Sequence, residues 1–219
     1  IHKAANSVAH AIASRNQHAA EAFRTELGLA HAYDSYEALL DAPDVDAIYI
    51  GLPNSLHAEW AIRCAEAGKP TLCEKPLAAN ADEAQRMVDA FKTRGVPFAE
   101  AFMWRFHPQT LRVQQLIREG AVGRIQSIQA AFTFSIREES NIRLNASLAG
   151  GALMDVGCYC INAMRLYTGE EPTDSAAYAN IGAQSGVDET LAGVLRFPSG
   201  VLGHFDCGLR SQHCHMVEI

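Results

Sequence analysis

Apolar residues in the first hundred positions fall into short unbroken runs, separated by stretches where they recur every three or four positions. Val8 to Ala13, Val45 to Ile50, Thr71 to Glu74 and Val96 to Ala101 are runs of the first kind. Bounded by turn residues, they predict strands buried on both faces. Between them Ala19, Ala22, Phe23 and Leu27 predict a helix over His18 to Leu27, with Gly28 as its C-terminal cap. Ser35 to Leu40 predicts a short second helix without a full capping box. Leu56, Trp60, Ile62 and Ala65 predict a third, capped by Ser55 and ended by Gly68. Met87, Val88 and Phe91 predict a fourth, opened by Asn80 or Asp82 and stopped at Gly95. Residues 1 to 7 read as the tail of a preceding helix.

The pattern changes after Ala101. Pro108 to Glu119 is helical, and Gly123 precedes a long alternating strand from Arg124 to Ser135. Residues 136 to 149 read as loop, and Gly151 to Tyr167 as a helix stopped by Gly169. Ser175 to Ala183, Thr190 to Phe197 and Val201 to Leu209 read as strands, with Phe197-Pro198-Ser199-Gly200-Val201 a hairpin signal. The fold class expected is α/β: an incomplete Rossmann-type parallel sheet followed by an α+β part with a mainly antiparallel open sheet. The expected domains are 1–101, for a dinucleotide, and 102–219, for substrate and dimerisation, with helix 151–168 packing back on the first.

The chain of 219 residues is 48% hydrophobic and 20% charged, an ordinary globular balance. A net charge of -7 excludes a nucleic-acid or anionic-membrane surface as the first expectation. No apolar run approaches the ~20 residues of a membrane span. The six cysteines include no C-x-x-C pair, and several lie in apolar runs. That usage predicts reduced thiols and a cytoplasmic setting. It also makes the sequon Asn145-Ala146-Ser147 accidental.

In an open parallel sheet, ligands bind beyond the carboxyl ends of the strands. Glu74-Lys75-Pro76 closes one strand at such a place, either as a functional pair or as a solvated salt bridge. A free lysine is protonated at neutral pH. For Lys75 to act as acid and base, burial and the charge of an oxidised nicotinamide must lower its pKa. Ser14-Arg15 follows another strand, where a hydroxyl and a guanidinium suit the 2′-phosphate of NADP, and an acidic residue would instead suit NAD. The alternative is a solvated strand-end arginine. Leu52, Pro53 and Asn54 follow the next strand, where Asn54 and free helix-opening N–H groups can meet a cofactor. His57 is either part of that contact or a packed helix histidine. Asp155 and Tyr159, four apart on the helix 151–168, share a face, and a carboxylate and phenol there are costly unless satisfied. Tyr159 as a proton relay needs its pKa of ~10 lowered, which a neighbouring Lys75 cation would do; the other reading is a core tyrosine bonded to backbone. His213, Cys214 and His215 alternate sides on a strand, so no metal is expected there.

No G-x-G-x-x-G occurs. A doubly wound dinucleotide domain opens with that turn, so roughly 20–30 residues of a βαβ unit are expected upstream of Ile1. The sequence also stops in mid-sheet at His215 to Ile219. It reads as a fragment that by itself binds cofactor poorly.

Taken together, L-P-N-S-L-H-A-E-W-A-I from Leu52, C-E-K-P-L-A from Cys73, Gly123–Ile125 and A-G-G-A-L-M-D-V-G-C-Y from Ala149 resemble the Gfo/Idh/MocA family of NAD(P)-dependent oxidoreductases. The likeness is greatest to the branch of glucose–fructose oxidoreductase, dimeric dihydrodiol dehydrogenase and NADP-dependent xylose dehydrogenase. The resemblance implies that Lys75 and Tyr159 flank the substrate carbon, with Asp155 nearby. It implies cofactor contacts for Trp104, Arg105 and Glu74, and a substrate or phosphate contact for Arg143. NADP is the cofactor expected, with NAD possible. The substrate expected is a sugar, cyclic polyol or dihydrodiol, and the open sheet is expected to form a homodimer or higher homo-oligomer. The alternative on the same fold is a non-enzymatic dinucleotide-sensing regulator, which needs no acid/base pair.

Overall fold

The computed structural model describes residues 4–219. They divide into two compact units. One holds the described residues up to Ile50 together with Glu59–Cys73 and Gln85–Ala99. The other holds Gly51–Ala58, Glu74–Ala84 and Glu100–Ile219.

The first unit contains the parallel part. Strand β1 (Ala11–Ala13) pairs in parallel with β2 (His31–Tyr33), and helix α1 (Gln17–Leu27) connects them. Asn16 accepts from the Ala19 amide at the start of α1, and Gly28 closes it in the left-handed region at φ 64, as a C-terminal cap requires. Helix α2 (Tyr36–Leu40) starts on Ser35, whose hydroxyl accepts from the Ala38 amide. A second sheet runs in the order β3 (Ile48–Ile50), β4 (Thr71–Cys73), β5 (Phe98–Glu100), with β3 and β4 parallel. Its buried side chains include Ile48, Ile50 and Cys73; Met87 and Phe91, from the helix that follows β4, are buried too, and the Phe91 and Phe98 rings stack with centroids 4.0 Å apart. Helices α3 (His57–Glu66) and α4 (Ala81–Arg94) follow β3 and β4.

These are the parallel, Rossmann-like strands that the apolar runs predict, but each is three residues long. The flanking residues of each run stay outside the ladders, and Val8, at the head of the first, is exposed. Two expectations are corrected, and one strand goes beyond them. The described residues 4–7 form turn and irregular backbone and no helix, and residues 1–3 lie outside the described set. The strand β2 emerges from a stretch too short and mixed to carry an alternation. Ser55 is not a helix cap: Pro53 leads into a 3-10 turn, Asn54–Leu56, that runs directly into α3. At α4 the opening residue is Asn80, whose side chain accepts from the Glu83 amide at 2.9 Å.

The second unit is built on a five-stranded sheet in the order β10-β6-β9-β8-β7, with β6 (Ser127–Ser135), β7 (Asp174–Ile181), β8 (Asp188–Arg196), β9 (Leu202–Gly208) and β10 (Arg210–Glu218). All its neighbours are antiparallel except β6 and β9. Phe197 and Val201 close the predicted hairpin, the Phe197 amide donating to the Val201 carbonyl. Helix α5 (Pro108–Arg118) precedes β6, and α6 (Cys158–Thr168) lies on one face of the sheet. There Val156, Cys160 and Met164 bury against Ile128, Leu195, Phe197, Phe205 and Cys207. Among the loops, 136–149 contains two 3-10 turns, Ile142–Leu144 and Ala146–Leu148.

The expected regular helix from Gly151 is not regular. Leu153–Gly157 is one π-helical turn, and α6 begins after it. Gly157 explains why the wide turn fits there: a Cβ at that position would stand 2.8 Å from Cys207 Sγ. π turns of this kind often sit at functional sites.

Candidate active site

Within the second unit, four segments meet at one small cavity of about 200 Å³. Its lining includes Leu52, Pro53 and Asn54 from the turn after β3, Glu74 and Lys75 from the turn after β4, Arg143 from the first 3-10 turn, and Asp155 from the π turn. The volume is below the roughly 300–1,000 Å³ of whole ligand sites. It accommodates one ring of a ligand. A larger hollow of about 330 Å³ in the other unit is bordered by Glu66, Arg86, Asp89 and Arg94, and none of the candidate residues lines it.

Lys75 is the centre of the site. Its Nζ donates to the Asp155 carbonyl at 2.7 Å and to Asp155 Oδ1 at 3.0 Å. The other carboxylate oxygen accepts from Arg143 Nε at 2.8 Å. The side chains of Lys75 and Asp155 are only 14% and 11% exposed, whereas Arg143 is 41% exposed. A buried carboxylate is thus held between a buried ammonium and a guanidinium open to solvent, and this sharing offsets its desolvation.

Tyr159 sits at the start of α6 with its ring against Phe102 and Phe132, at centroid distances of 5.3 and 5.5 Å. Lys75 Nζ lies 5.1 Å from the ring centroid, a cation–π geometry. The expected lowering of the Tyr159 pKa is overturned. Burial pushes the phenol up to about 12, and the neighbouring Cys158, Glu74, Asp155 and Glu100 add to the rise. The Lys75 ammonium is committed to Asp155, so its charge does not win over the loss of water around the phenol.

The turns that carry these groups are fixed by backbone contacts. His57 is fully buried, with ring nitrogens 2.8 Å from the Leu52 carbonyl and 2.9 Å from the Pro76 carbonyl. Both partners are carbonyl acceptors, so each contact is a hydrogen bond when the ring nitrogen facing it carries a proton. The ring ties the turn after β3 to the turn after β4 and does not line the cavity. The Lys75-Pro76 peptide is cis. The Leu77 amide donates to Glu100 Oε1 at 2.8 Å, and burial raises the Glu100 pKa. Asn54 Nδ2 donates to the Ala149 carbonyl at 2.8 Å. Ala149 has φ 55, in the left-handed region.

The paired glycines that follow have a direct reason. A Cβ at Gly150 would stand 2.4 Å from the Arg143 carbonyl oxygen. Gly151 has φ +117, and a Cβ there would meet Asp188 Oδ1. Asp188 is buried enough to raise its pKa, and its Oδ2 accepts from the Leu153 amide at 2.7 Å, anchoring the π turn.

The other candidates lie apart from the cavity lining. Trp104 and Arg105 occupy the 3-10 turn Met103–Phe106. The Trp104 ring is edge-on to Tyr167, and its Nε1 is buried with no acceptor among the described residues. Arg105 is exposed. Ser14 and Arg15 belong to the first unit, just past β1. Ser14 Oγ accepts from the Asn16 amide at 3.2 Å, and Arg15 is exposed. His215 stacks on Phe132 at 4.4 Å. Sequence reasoning missed Glu100, Asp188, Phe102 and Phe132. Acidic residues ending β5 and opening β8 were the available signal for the first two, and only tertiary pairing reveals the aromatic ones.

A strand-end lysine and a carboxylate line the cavity, and the lysine Nζ stands 5.1 Å from the centroid of a phenol ring. Comparison with known proteins shows the class to which the chain belongs. Residues 1–102 match the model of the oxidoreductase family with an NAD-binding Rossmann fold, and residues 110–219 match the GFO/IDH/MocA C-terminal domain. The chain belongs to the GFO/IDH/MocA oxidoreductase family. It is 44% identical over 201 residues to a D-xylose 1-dehydrogenase (NADP(+)) of Haloferax volcanii, covering 90% of this chain and 61% of that protein. It is 32% identical over 209 residues to the trans-1,2-dihydrobenzene-1,2-diol dehydrogenase of Bos taurus, covering 95% and 62%. A 3-ketoreductase from Actinomadura kijaniata, solved with NADP and TDP-benzene, superposes with a TM-score of 0.88 at 34% identity, covering 95% of this chain and 64% of that one. The chain therefore spans a little over three-fifths of the length of these relatives.

Proposed function

We propose that the intact protein is an NADP-dependent oxidoreductase that interconverts a hydroxyl and a carbonyl on a sugar, cyclic polyol or dihydrodiol, with Lys75, Asp155 and Tyr159 as its catalytic group. The observation that carries this reading is Lys75 Nζ held by Asp155 and facing the Tyr159 ring at 5.1 Å. The relatives named above, a D-xylose 1-dehydrogenase, a dihydrodiol dehydrogenase and a 3-ketoreductase, support the substrate class.

The residues present fit a nicotinamide cofactor. The cavity takes one ring, and Asn54, the turn after β3, Glu74 and Lys75 border it. When bound, the cofactor supplies or accepts the hydride. Leu52, Pro53, Asn54 and Glu74 would hold the ring end. Ser14 and Arg15, of the first unit, carry a hydroxyl and a guanidinium of the kind that suits a 2′-phosphate. Trp104 and Arg105 add contacts outside the cavity.

In the reducing direction Tyr159, whose pKa is pushed up to about 12, is a neutral phenol at working pH. It donates its proton to the alkoxide that develops on the substrate. Lys75 stabilises the same oxygen as its charge grows, then passes a proton to the tyrosinate left behind and takes one back from solvent. The two form one coupled acid. Arg143, bridged to Asp155 and partly open to solvent, meets substrate hydroxyls at the mouth. His57 positions the two turns. The open sheet provides the surface for a homodimer, and six free cysteines suit a reducing, cytoplasmic setting. No helix among the described residues is long and apolar enough to cross a membrane.

The test is a panel on the full-length protein: NADP and NAD against xylose, glucose, inositol and a dihydrodiol. Turnover with any of these, lost in Lys75→Met and Tyr159→Phe while cofactor binding is kept, supports the reading. A protein that binds NADPH and turns over none of them is a dinucleotide sensor instead.

A further inference from the structure

We propose that His10, His31 and Asp44 form a binding site for a first-row transition-metal ion of the zinc class, at the end of the parallel strands away from Ser14-Arg15. The three residues lie within the first unit, and their ligand atoms are all within 4.8 Å of one another.

The local backbone builds the pair of imidazoles. His10 precedes β1 and His31 opens β2, and the His10 carbonyl accepts from both the Ala30 amide at 2.9 Å and the His31 amide at 3.2 Å. This holds the rings side by side, with centroids 5.0 Å apart and planes at 65°. Asp44, from the loop between α2 and β3, completes the set. Its Oδ2 is 2.9 Å from His10 Nε2 and 3.5 Å from His31 Nε2. Zinc bonds of about 2.0–2.1 Å in a tetrahedron leave neighbouring donor atoms about 3.3 Å apart. The two observed distances bracket that value. Insertion of an ion opens the His10–Asp44 hydrogen bond by a few tenths of an ångström, brings the two imidazole nitrogens, now within 4.8 Å, to the same spacing, and releases the bridging proton.

The donor chemistry selects the ion. Two imidazoles and one carboxylate suit zinc, cobalt, nickel or copper, whereas magnesium and calcium favour oxygen donors. The side chains of His10, His31 and Asp44 are 36%, 50% and 46% exposed, which leaves an entry path and room for a water as fourth ligand. The site is distinct from the proposed cofactor contacts. His10 and Ser14 stand at opposite ends of β1, about 13 Å apart along an extended backbone. An ion here clips β1, β2 and the α2–β3 loop together, so its binding stabilises the folded state.

Chelator-treated full-length protein titrated with zinc, followed by calorimetry and thermal unfolding, tests the proposal. The expected result is one zinc per chain and a raised melting temperature, with no rise for magnesium. His10→Ala, His31→Ala and Asp44→Asn each weaken zinc binding at least tenfold and remove the thermal shift. Because all three positions are partly exposed, their melting temperatures without zinc stay near that of the parent. Cobalt substitution gives a spectrum without thiolate charge-transfer absorption. The proposal is overturned by an equal zinc shift in the His31→Ala protein, by binding that instead disappears in a His213→Ala/His215→Ala variant, or by thiolate bands with cobalt.

Discussion

Lys75 Nζ faces the ring of Tyr159 at 5.1 Å from its centroid while giving its hydrogen bonds to Asp155. The ammonium, carboxylate and phenol are thereby one unit, assembled from residues eighty positions apart.

Removing the carboxylate leaves a buried ammonium without its partner. Asp155→Ala is expected to destabilise the protein by about 3 kcal/mol, toward the lower end of the cost of breaking a buried pair, because Arg143 keeps solvent access. Asp155→Asn retains the shape and one acceptor and should cost less than half as much. Urea unfolding of the two variants checks the order.

The raised Tyr159 pKa fixes the sign of an alkaline effect. Unfolded tyrosine ionises near 10, whereas the folded phenol holds its proton to about 12. Between those values the unfolded state has lost a proton that the folded state keeps, so stability is fully present below pH 10 and falls as pH rises toward 12. Tyr159→Phe should flatten part of that decline. Tyrosinate absorbance should detect an ionisation near pH 12 in the parent that is missing from the variant.

The Gly150 position tolerates no side chain. A Cβ 2.4 Å from the Arg143 carbonyl must displace backbone, not a flexible chain end. Gly150→Ala is expected to cost about 1–3 kcal/mol, the range of overpacking, and to shift the turn that carries Arg143. Thermal unfolding with substrate KM, measured together, reads both effects.

Arg15 is exposed beyond β1, so its loss should leave folding untouched. If it pairs with the 2′-phosphate, Arg15→Ala raises the KM for NADP about tenfold or more and leaves that for NAD unchanged, as loss of a charge-assisted contact requires. Steady-state kinetics with both cofactors decides this.

Much of this arrangement is legible in the sequence. The run ending at Cys73 followed by Glu74-Lys75-Pro76 marks a strand end, and the small residues before Asp155 mark a close approach. Lys75 and Asp155 do meet, and Leu52 to Asn54 border the same cavity. The π turn was not legible, because it depends on Gly157 lying against Cys207, a contact fifty residues away in the chain. The direction of the Tyr159 shift was misread for a similar reason. A count of nearby cations omits the burial by Phe102 and Phe132, and burial outweighs them. The first-unit strands are shorter than their apolar runs, because apolar character alone does not say which residues join a ladder. His57 illustrates a residue whose type suggests chemistry but whose neighbours, two backbone carbonyls, give it a positioning task.

The most direct measurement is single-turnover hydride transfer in the full-length protein carrying Lys75→Met, beside Tyr159→Phe and the double variant, with NADPH affinity measured in parallel. Coupled action predicts that each single change slows the chemical step by at least a hundredfold, that the double variant is little slower than either, and that NADPH affinity stays within a few-fold. Turnover at the parental rate in Lys75→Met, with cofactor bound normally, would contradict the account.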